Sequence, residues 1–418
     1  RQLCIRDSPA PEAVRIPNSC NLFYLDASSG QPPAEGQPVD FTFTEEQQAA
    51  TEAAKAVFAH VAPDAVPSPA LTAGAVADDF DRDLWRALAH ADLLSLLTAP
   101  EYGGAGLDPI ALCLVLREAG RVLARVPLLE CAAASRLLQH HATEAVRAEL
   151  LPRIGRGELV ITTASDGRTG HDAAELAVTA RQDDDGWLLD GVQTAVPWAY
   201  GADRVLLPAH TPDGRPVLAL APLTAPGLTR HEQISTTGER YAELRLASVR
   251  LTAPDVLTAP GATEDLRQLL TCGTCALALG LGEAVLAMTA DYTGKREQFG
   301  FPLATFQAVA VQAADRFIDL RAMAATLWQA AWRIGTGTAG ALPPEGDVAV
   351  AKIWASDGIR RTVQTAQHLH GGFGADTDHP LHRYHAWAKQ LELSLGPAAA
   401  HEEALGYLLA VHPLREED

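Results

Sequence analysis

The chain has 418 residues, enough for two or three compact units with a sizeable core. With 33 basic against 52 acidic residues its net charge is -19, which argues against nucleic acid or an anionic membrane as the main partner, since both call for a basic face. Hydrophobic residues make up 47% and charged residues 20%, and no run reaches the roughly 18 uninterrupted apolar residues of a membrane span; the most apolar, Cys275 to Leu281, is cut short by Glu283.

In chain order, residues 1–39 are rich in Pro, Ser and Gly, follow no period and lack the apolar core of a secretory signal; they are expected to form a flexible extension. From 40 to 157 the sequence predicts an α-helical domain. Thr44-Glu45-Glu46-Gln47 has the pattern of a capping box opening a helix through Ala53, Val57 and Phe58. Asp83 to Leu97, Ile110 to Val122, Cys131 to Leu138 and Glu144 to Ile154 also carry helical spacing. From 158 to 262 the period switches from 3.6 to 2. Short apolar runs at 159–163, 176–180, 186–191, 204–207, 217–220 and 244–251 predict a small β-domain, with Asp183-Asp184-Asp185-Gly186 as a solvated hairpin turn rather than a metal site.

From 263 to 418 helices resume. Leu266, Leu269, Leu270, Leu277, Leu281, Val285, Met288 and Tyr292 predict a long helix apolar over more than one face, buried in a bundle. Cys272 and Cys275 lie within it as small core residues, and no metal site is expected. The six cysteines form no disulfide framework, which points to a reducing, cytoplasmic setting. Gly294, Gly300 and Pro302 reverse the chain, and after Thr305, read as an N-cap, Phe306, Val309, Ala310, Ala313, Phe317 and Leu320 predict a second buried helix. Arg296 is thereby held at the tip of a helix hairpin, where it is either a bidentate clamp on a phosphate or a solvated helix-end cation. The fold class is α+β: an N-terminal helical domain, a middle β-domain and a C-terminal four-helix bundle.

The stretch from Arg296 through Gln298-Phe299-Gly300 to Phe306-Gln307 resembles the flavin-binding turn of the acyl-CoA dehydrogenases. So do Glu101-Tyr102-Gly103-Gly104, Leu189-Asp190-Gly191-Val192-Gln193, and Gln367-His368-Leu369-His370-Gly371-Gly372-Phe373-Gly374, in the family's order and over nearly the whole chain. The resemblance implies FAD bound across a subunit interface, with Arg296 on the pyrophosphate, Phe299 and Gln307 near the adenosine half, and Gln298, His368, Leu369, Gly371 and Gly372 completing the set. It implies α,β-desaturation of an acyl-CoA, with an electron-transfer flavoprotein as electron acceptor.

The chemical centre departs from the family pattern. The position of the usual glutamate base is Leu395, followed by Gly396-Pro397, and the position used by a smaller branch is Leu270. Ala195-Val196-Pro197 stands where the family has Trp-Ile-Thr, and Ser165 to Asp172 replaces the Thr-Glu-Pro segment. Glu392 and Glu283 are the candidates for a relocated base, each with a bland alternative as a solvated or a paired structural carboxylate. The chain therefore resembles the base-less subunit of actinobacterial steroid-degrading α2β2 enzymes, whose homologous partner carries the glutamate. Two other readings are a self-sufficient homo-oligomer with a relocated base and a non-catalytic binding or scaffold protein.

Overall fold

The computed structural model describes residues 42–63, 72–77, 80–165, 177–184 and 186–412. The 1–39 extension and residues 166–172 of the segment after Ser165 lie outside them.

The N-terminal layer is helical: α1 (Glu45–Phe58), α2 (Arg82–His90), α3 (Pro109–Arg121), α4 (Leu128–His141) and α5 (Glu144–Gly155). The capping box forms as the sequence predicts: Gln47 N–H donates to Thr44 Oγ1 (3.2 Å), and Thr44 N–H donates to Gln47 Oε1 (2.9 Å). The second helix is shorter than its apolar spacing predicts. It ends in a Schellman turn, with Leu93 N–H donating to Leu88 O (3.0 Å) and Asp92 N–H to Ala89 O (3.1 Å), while Asp92 takes the left-handed conformation (φ 57°). Leu93, Leu94, Leu96 and Leu97 are buried beyond it in non-helical backbone. With Asp rather than Gly at the left-handed position, the sequence carries no stop signal there.

The middle layer is a mostly antiparallel sheet of β1 (Ile161–Thr163), β2 (Val178–Asp183), β3 (Gly186–Pro197), β4 (Arg204–His210), β5 (Pro216–Pro222), β6 (Leu228–Ile234), β7 (Arg240–Thr252) and β8 (Val256–Leu257). Its order is β6-β7-β3-β2-β4-β5-β8, with β1 parallel to β4. The strand β6 is absent from the sequence reading because its side chains are mostly exposed and polar, Thr229-Arg230-His231-Glu232, as suits a charged edge. Strands β4 and β5 divide their side chains between two cores. Leu206, Leu218 and Leu220 join the helical core, while Val205, Leu207, Ala219 and Ala221 fill the interior of the β-domain.

The C-terminal helices are α6 (Ala262–Lys295), α7 (Gln307–Thr336), α8 (Pro344–His370), α9 (Leu381–Leu393) and α10 (Ala398–Val411). By length and composition α6 could cross a membrane, but 78% of its most apolar window is buried inside the fold, against α3, α4, α7, α8 and α9. Two expectations about α7 need correction. Thr305 does not cap it: its hydroxyl donates to Pro302 O (2.7 Å), and Phe306 precedes the first turn. Nor is its first half buried within this chain: of the expected face, Ala310 and Phe317 (58%) are exposed, Phe306, Val309 and Ala313 are half-buried, and only Leu320 among these six is buried. The spacing identified the helix and overstated the burial of its first turns.

Helices α3 and α6 cross in backbone contact. A Cβ on Gly280 would stand 1.8 Å from Arg117 O, and one on Gly120 would stand 2.2 Å from Leu277 O. Beside the crossing Cys113 Sγ lies 3.7 Å from Cys272 Sγ, both buried, which is the core role expected of Cys272. Gly280→Ala is expected to lower unfolding stability by about 3 kcal/mol, because backbone rather than a flexible side chain must yield. Gly294→Ala in the same helix, where a Cβ meets nothing within 4 Å, is expected to raise it by up to ~1 kcal/mol. Urea-denaturation midpoints of the two variants check this.

Candidate active site

Two regions contain most of the residues singled out by the sequence. The first is the exposed end of the C-terminal bundle. Arg296 follows the last turn of α6, where its N–H donates to Tyr292 O (2.8 Å) and its carbonyl accepts from Leu303 N–H (2.8 Å), so its backbone is fixed while the guanidinium faces solvent. A short hairpin follows, β9 (Glu297–Gln298) paired with β10 (Phe301–Pro302). Its two central residues, Phe299 (φ 55°) and Gly300 (φ 83°), both take left-handed backbone, as a two-residue type I′ turn requires. Phenylalanine is a costly choice there, of order 1 kcal/mol or more, and its ring is 90% exposed. Gln298 and Gln307 are also exposed.

Helix α8 ends beside the last turn of α6. His370 is buried and stacks on Tyr292 with ring centroids 4.3 Å apart, and Phe373 stacks on the same tyrosine at 5.6 Å. His370 Nδ1 donates to Ala366 O (2.8 Å), Nε2 has no partner among the described residues, and burial holds the imidazole pKa below its ordinary value. The stack ties the end of α6 to the end of α8, so the turn beginning at Arg296 and the Gly371-Gly372 turn share one end of the bundle. Gly371 has φ 61° and ψ -141°, and a Cβ on either glycine would meet nothing within 4 Å. His368 is exposed and Leu369 half-buried. An exposed guanidinium, an exposed aromatic ring and open glycine backbone fit a long, planar, doubly anionic dinucleotide such as FAD.

The second region is a cavity of about 130 Å³ bounded by α3, α4, β3, α6 and α9. Leu270 of α6 and Leu395 of the α9–α10 loop both line it, so the two positions that the resemblance assigns to the usual base converge on one space although they come from distant parts of the sequence. Leu395 is left-handed (φ 59°), and its carbonyl accepts from His401 Nε2 (2.8 Å). The loop is held from behind by Lys352, fully buried, whose Nζ donates to Leu391 O (2.8 Å), Glu392 O (3.1 Å) and Ser356 Oγ (3.0 Å). Burial pushes the Lys352 pKa down to about 8.

Glu283 and Glu392, the sequence-stated candidates for a relocated base, do not line this cavity. Glu283 is held by Arg117 (2.7 and 2.8 Å) and Arg121 (2.6 Å), where it locks α6 to α3. Glu392 pairs with Lys389 (2.5 Å). The carboxylates that do line it are Glu130 and Glu239, which the sequence reading missed. Glu239 Oε2 accepts from Gln390 Nε2 (2.6 Å) and Tyr241 OH (3.2 Å). Glu130 lies in the first turn of α4, near the indole of Trp198; burial, helped by the Glu239 charge, raises its pKa to about 7. One signal was available: Glu130 is the sole charged residue from Val126 to Ala134. Ala195, Pro197, Trp198, Thr163 and Ser165 form the β-domain side of the wall, so a tryptophan stands just beyond the Ala195-Val196-Pro197 departure.

With the fold and both regions in hand, the comparisons with known proteins agree. Residues 44–158 match the acyl-CoA dehydrogenase N-terminal domain and residues 271–406 the acyl-CoA dehydrogenase C-terminal domain. The chain belongs to the acyl-CoA dehydrogenase family, FAD-dependent oxidoreductases. Acyl-CoA dehydrogenase FadE27 of Mycobacterium tuberculosis is 35% identical over 80% of this chain and 90% of that protein. Among solved structures, a Tcur3481-Tcur3483 steroid acyl-CoA dehydrogenase variant superposes with TM-score 0.80 at 36% identity, covering 88% of this chain and 98% of that one. The ChsE4-ChsE5 complex of Mycobacterium tuberculosis superposes with TM-score 0.81 at 33% identity, covering 90% of this chain and all of that one.

The raised Glu130 pKa has a consequence for stability. Between the ordinary glutamate value of 4.5 and about 7 the folded chain holds a proton that the unfolded chain releases. The associated stability is fully present below about 4.5 and lost as pH rises through about 7. Glu130→Gln, which carries no charge to desolvate, is expected to gain on the wild type across that window by at most ~3 kcal/mol, then run parallel above it. Denaturation series at pH 5 and pH 8 measure the difference.

Proposed function

We propose that this chain is a subunit of a heteromeric, FAD-dependent acyl-CoA dehydrogenase that desaturates an acyl-CoA thioester between its α and β carbons. In this reading it completes the FAD site with Arg296, Gln298, Phe299, Gln307, His368, Leu369, Gly371 and Gly372, and a homologous partner supplies the catalytic glutamate. The observation that carries it is the pairing of two features: the cofactor clamp is presented outward, while both positions of the usual base are leucines facing one cavity. The exposed apolar side chains Val311, Phe317 and Ile318 on α7 suit a protein partner. The likeness to subunits of steroid acyl-CoA dehydrogenases favours a steroid-bearing acyl group as substrate; the family resemblance suits an electron-transfer flavoprotein as electron acceptor, and the cysteine usage suits a cytoplasmic location.

FAD, when bound, takes up the hydride released from the β carbon. Arg296 contributes charge-assisted hydrogen bonds to a pyrophosphate, Phe299 offers an aromatic face, and the open backbone at Gly371 and Gly372 lets amides approach the cofactor closely. A second reading, a homo-oligomer with a relocated base, draws on one observation, the presence of Glu130 in the cavity.

Co-expression with a homologous partner separates the readings. The chain alone is expected to purify without flavin, and the complex is expected to be yellow. In that complex Arg296→Ala should weaken FAD retention roughly 10- to 100-fold, the worth of a hydrogen bond to a charged group, and Arg296→Lys should recover only part of it. Stoichiometric FAD on the chain alone, bleached by an acyl-CoA, would overturn the heteromeric reading.

A further inference from the structure

We propose that Glu130 is a catalytic residue of this chain's own cavity, where its carboxylate accepts the α-proton of a bound acyl thioester. In this step the α C–H bond breaks, its electron pair passes into the thioester as an enolate, and the proton forms an O–H bond on Glu130. The inference rests on the acyl-CoA dehydrogenase reading of the cavity and is independent of which chain supplies the usual glutamate to the shared FAD site. An assembly containing this chain would then hold two kinds of proton-transfer site.

Position is the first support. Glu130 enters from the first turn of α4 into the space lined by Leu270 and Leu395, so a carboxylate from a third element occupies the cavity that the two replaced positions share. The remaining wall suits an acyl group: Leu116, Val126, Leu129, Leu277 and Leu391 are apolar. Charge is the second support. Among the described residues that line the cavity the titratable ones are Glu130, Glu239 and Tyr241, and none of those described is cationic. Arg125 packs over the ring of Trp387, a residue of the wall, at 5.8 Å. Both acids accept hydrogen bonds, Glu239 from Gln390 and Tyr241 and Glu130 from the Trp198 side chain, and at Glu130 burial outweighs the hydrogen bonds. A carboxylate in an apolar pocket beside a second carboxylate binds a proton more strongly than one in water, as a general base working near neutral pH requires.

The test is α-hydrogen exchange, read by mass spectrometry of the acyl-CoA in D2O. It uses the full chain loaded with FAD in its co-expressed assembly, with the partner's own glutamate replaced by glutamine. Hexanoyl-CoA and a steroid-side-chain acyl-CoA are the probes, and calorimetry measures their binding in parallel. The wild type is expected to incorporate deuterium at a rate that rises with pH through about 7. Glu130→Gln should be slower on the order of 100-fold or more, Glu130→Asp should recover part of the rate, and Glu239→Gln should move the pH profile downward. Exchange by Glu130→Gln at the wild-type rate, or bound acyl-CoA that the wild type does not exchange, would overturn the Glu130 assignment alone. Failure of either acyl-CoA to bind any form would overturn the assignment together with the acyl-CoA reading of the cavity.

Discussion

How closely α6 can approach α3 sets the geometry of the rest of the molecule. The two helices touch backbone to backbone at Gly120 and Gly280, and the distance is then secured by Glu283 between Arg117 and Arg121. Glycine at both contact points brings the helices nearer than any side chain would allow, and that proximity buries the apolar faces of both. The cavity lies along the same crossing, with Leu116 and Ala119 from α3 and Leu270, Thr274 and Leu277 from α6. At its far end α6 carries Arg296. One helix thus borders the cavity near its start and supports the proposed cofactor clamp at its finish.

Strained backbone marks both regions. Phe299 and Leu395 are left-handed at bulky residues, one at the outer hairpin and the other at the cavity. Such conformations persist only where surrounding contacts determine them. At Leu395 those contacts are visible: His401 holds the carbonyl, and Lys352 holds the preceding helix end from inside the fold. The loop is thus held from two sides, and the side chain it presents is a leucine.

Much of this was legible in the sequence because it depends on local periodicity and on short-range capping. The Thr44 capping box, the switch to period 2, the long apolar α6 and the turn after it each follow from a few neighbouring residues. The discrepancies share a different cause. The end of α2 depends on Asp92 accepting a left-handed conformation, which composition does not announce. The edge strand β6 is held by its pairing with β7 rather than by an apolar pattern. Amphipathic spacing in α7 specifies a face and not its covering. The cavity brings together residues from 116 to 395 and so has no local signature; its carboxylate, Glu130, is visible in the sequence only as one charge among apolar neighbours.

The stacking of Tyr292 on His370 gives the outer end of the bundle a mechanical property. The hairpin bearing Arg296 and the turn bearing Gly371 belong to different helices, and without a tie each would explore its own orientations before meeting a ligand. Ring-on-ring contact at 4.3 Å joins them into a single jaw. In the proposed FAD site a dinucleotide seated against one turn would meet the other already in place, so the entropy of aligning the two would be lost during folding and not again at each binding event. A dissociating cofactor would likewise leave both at once.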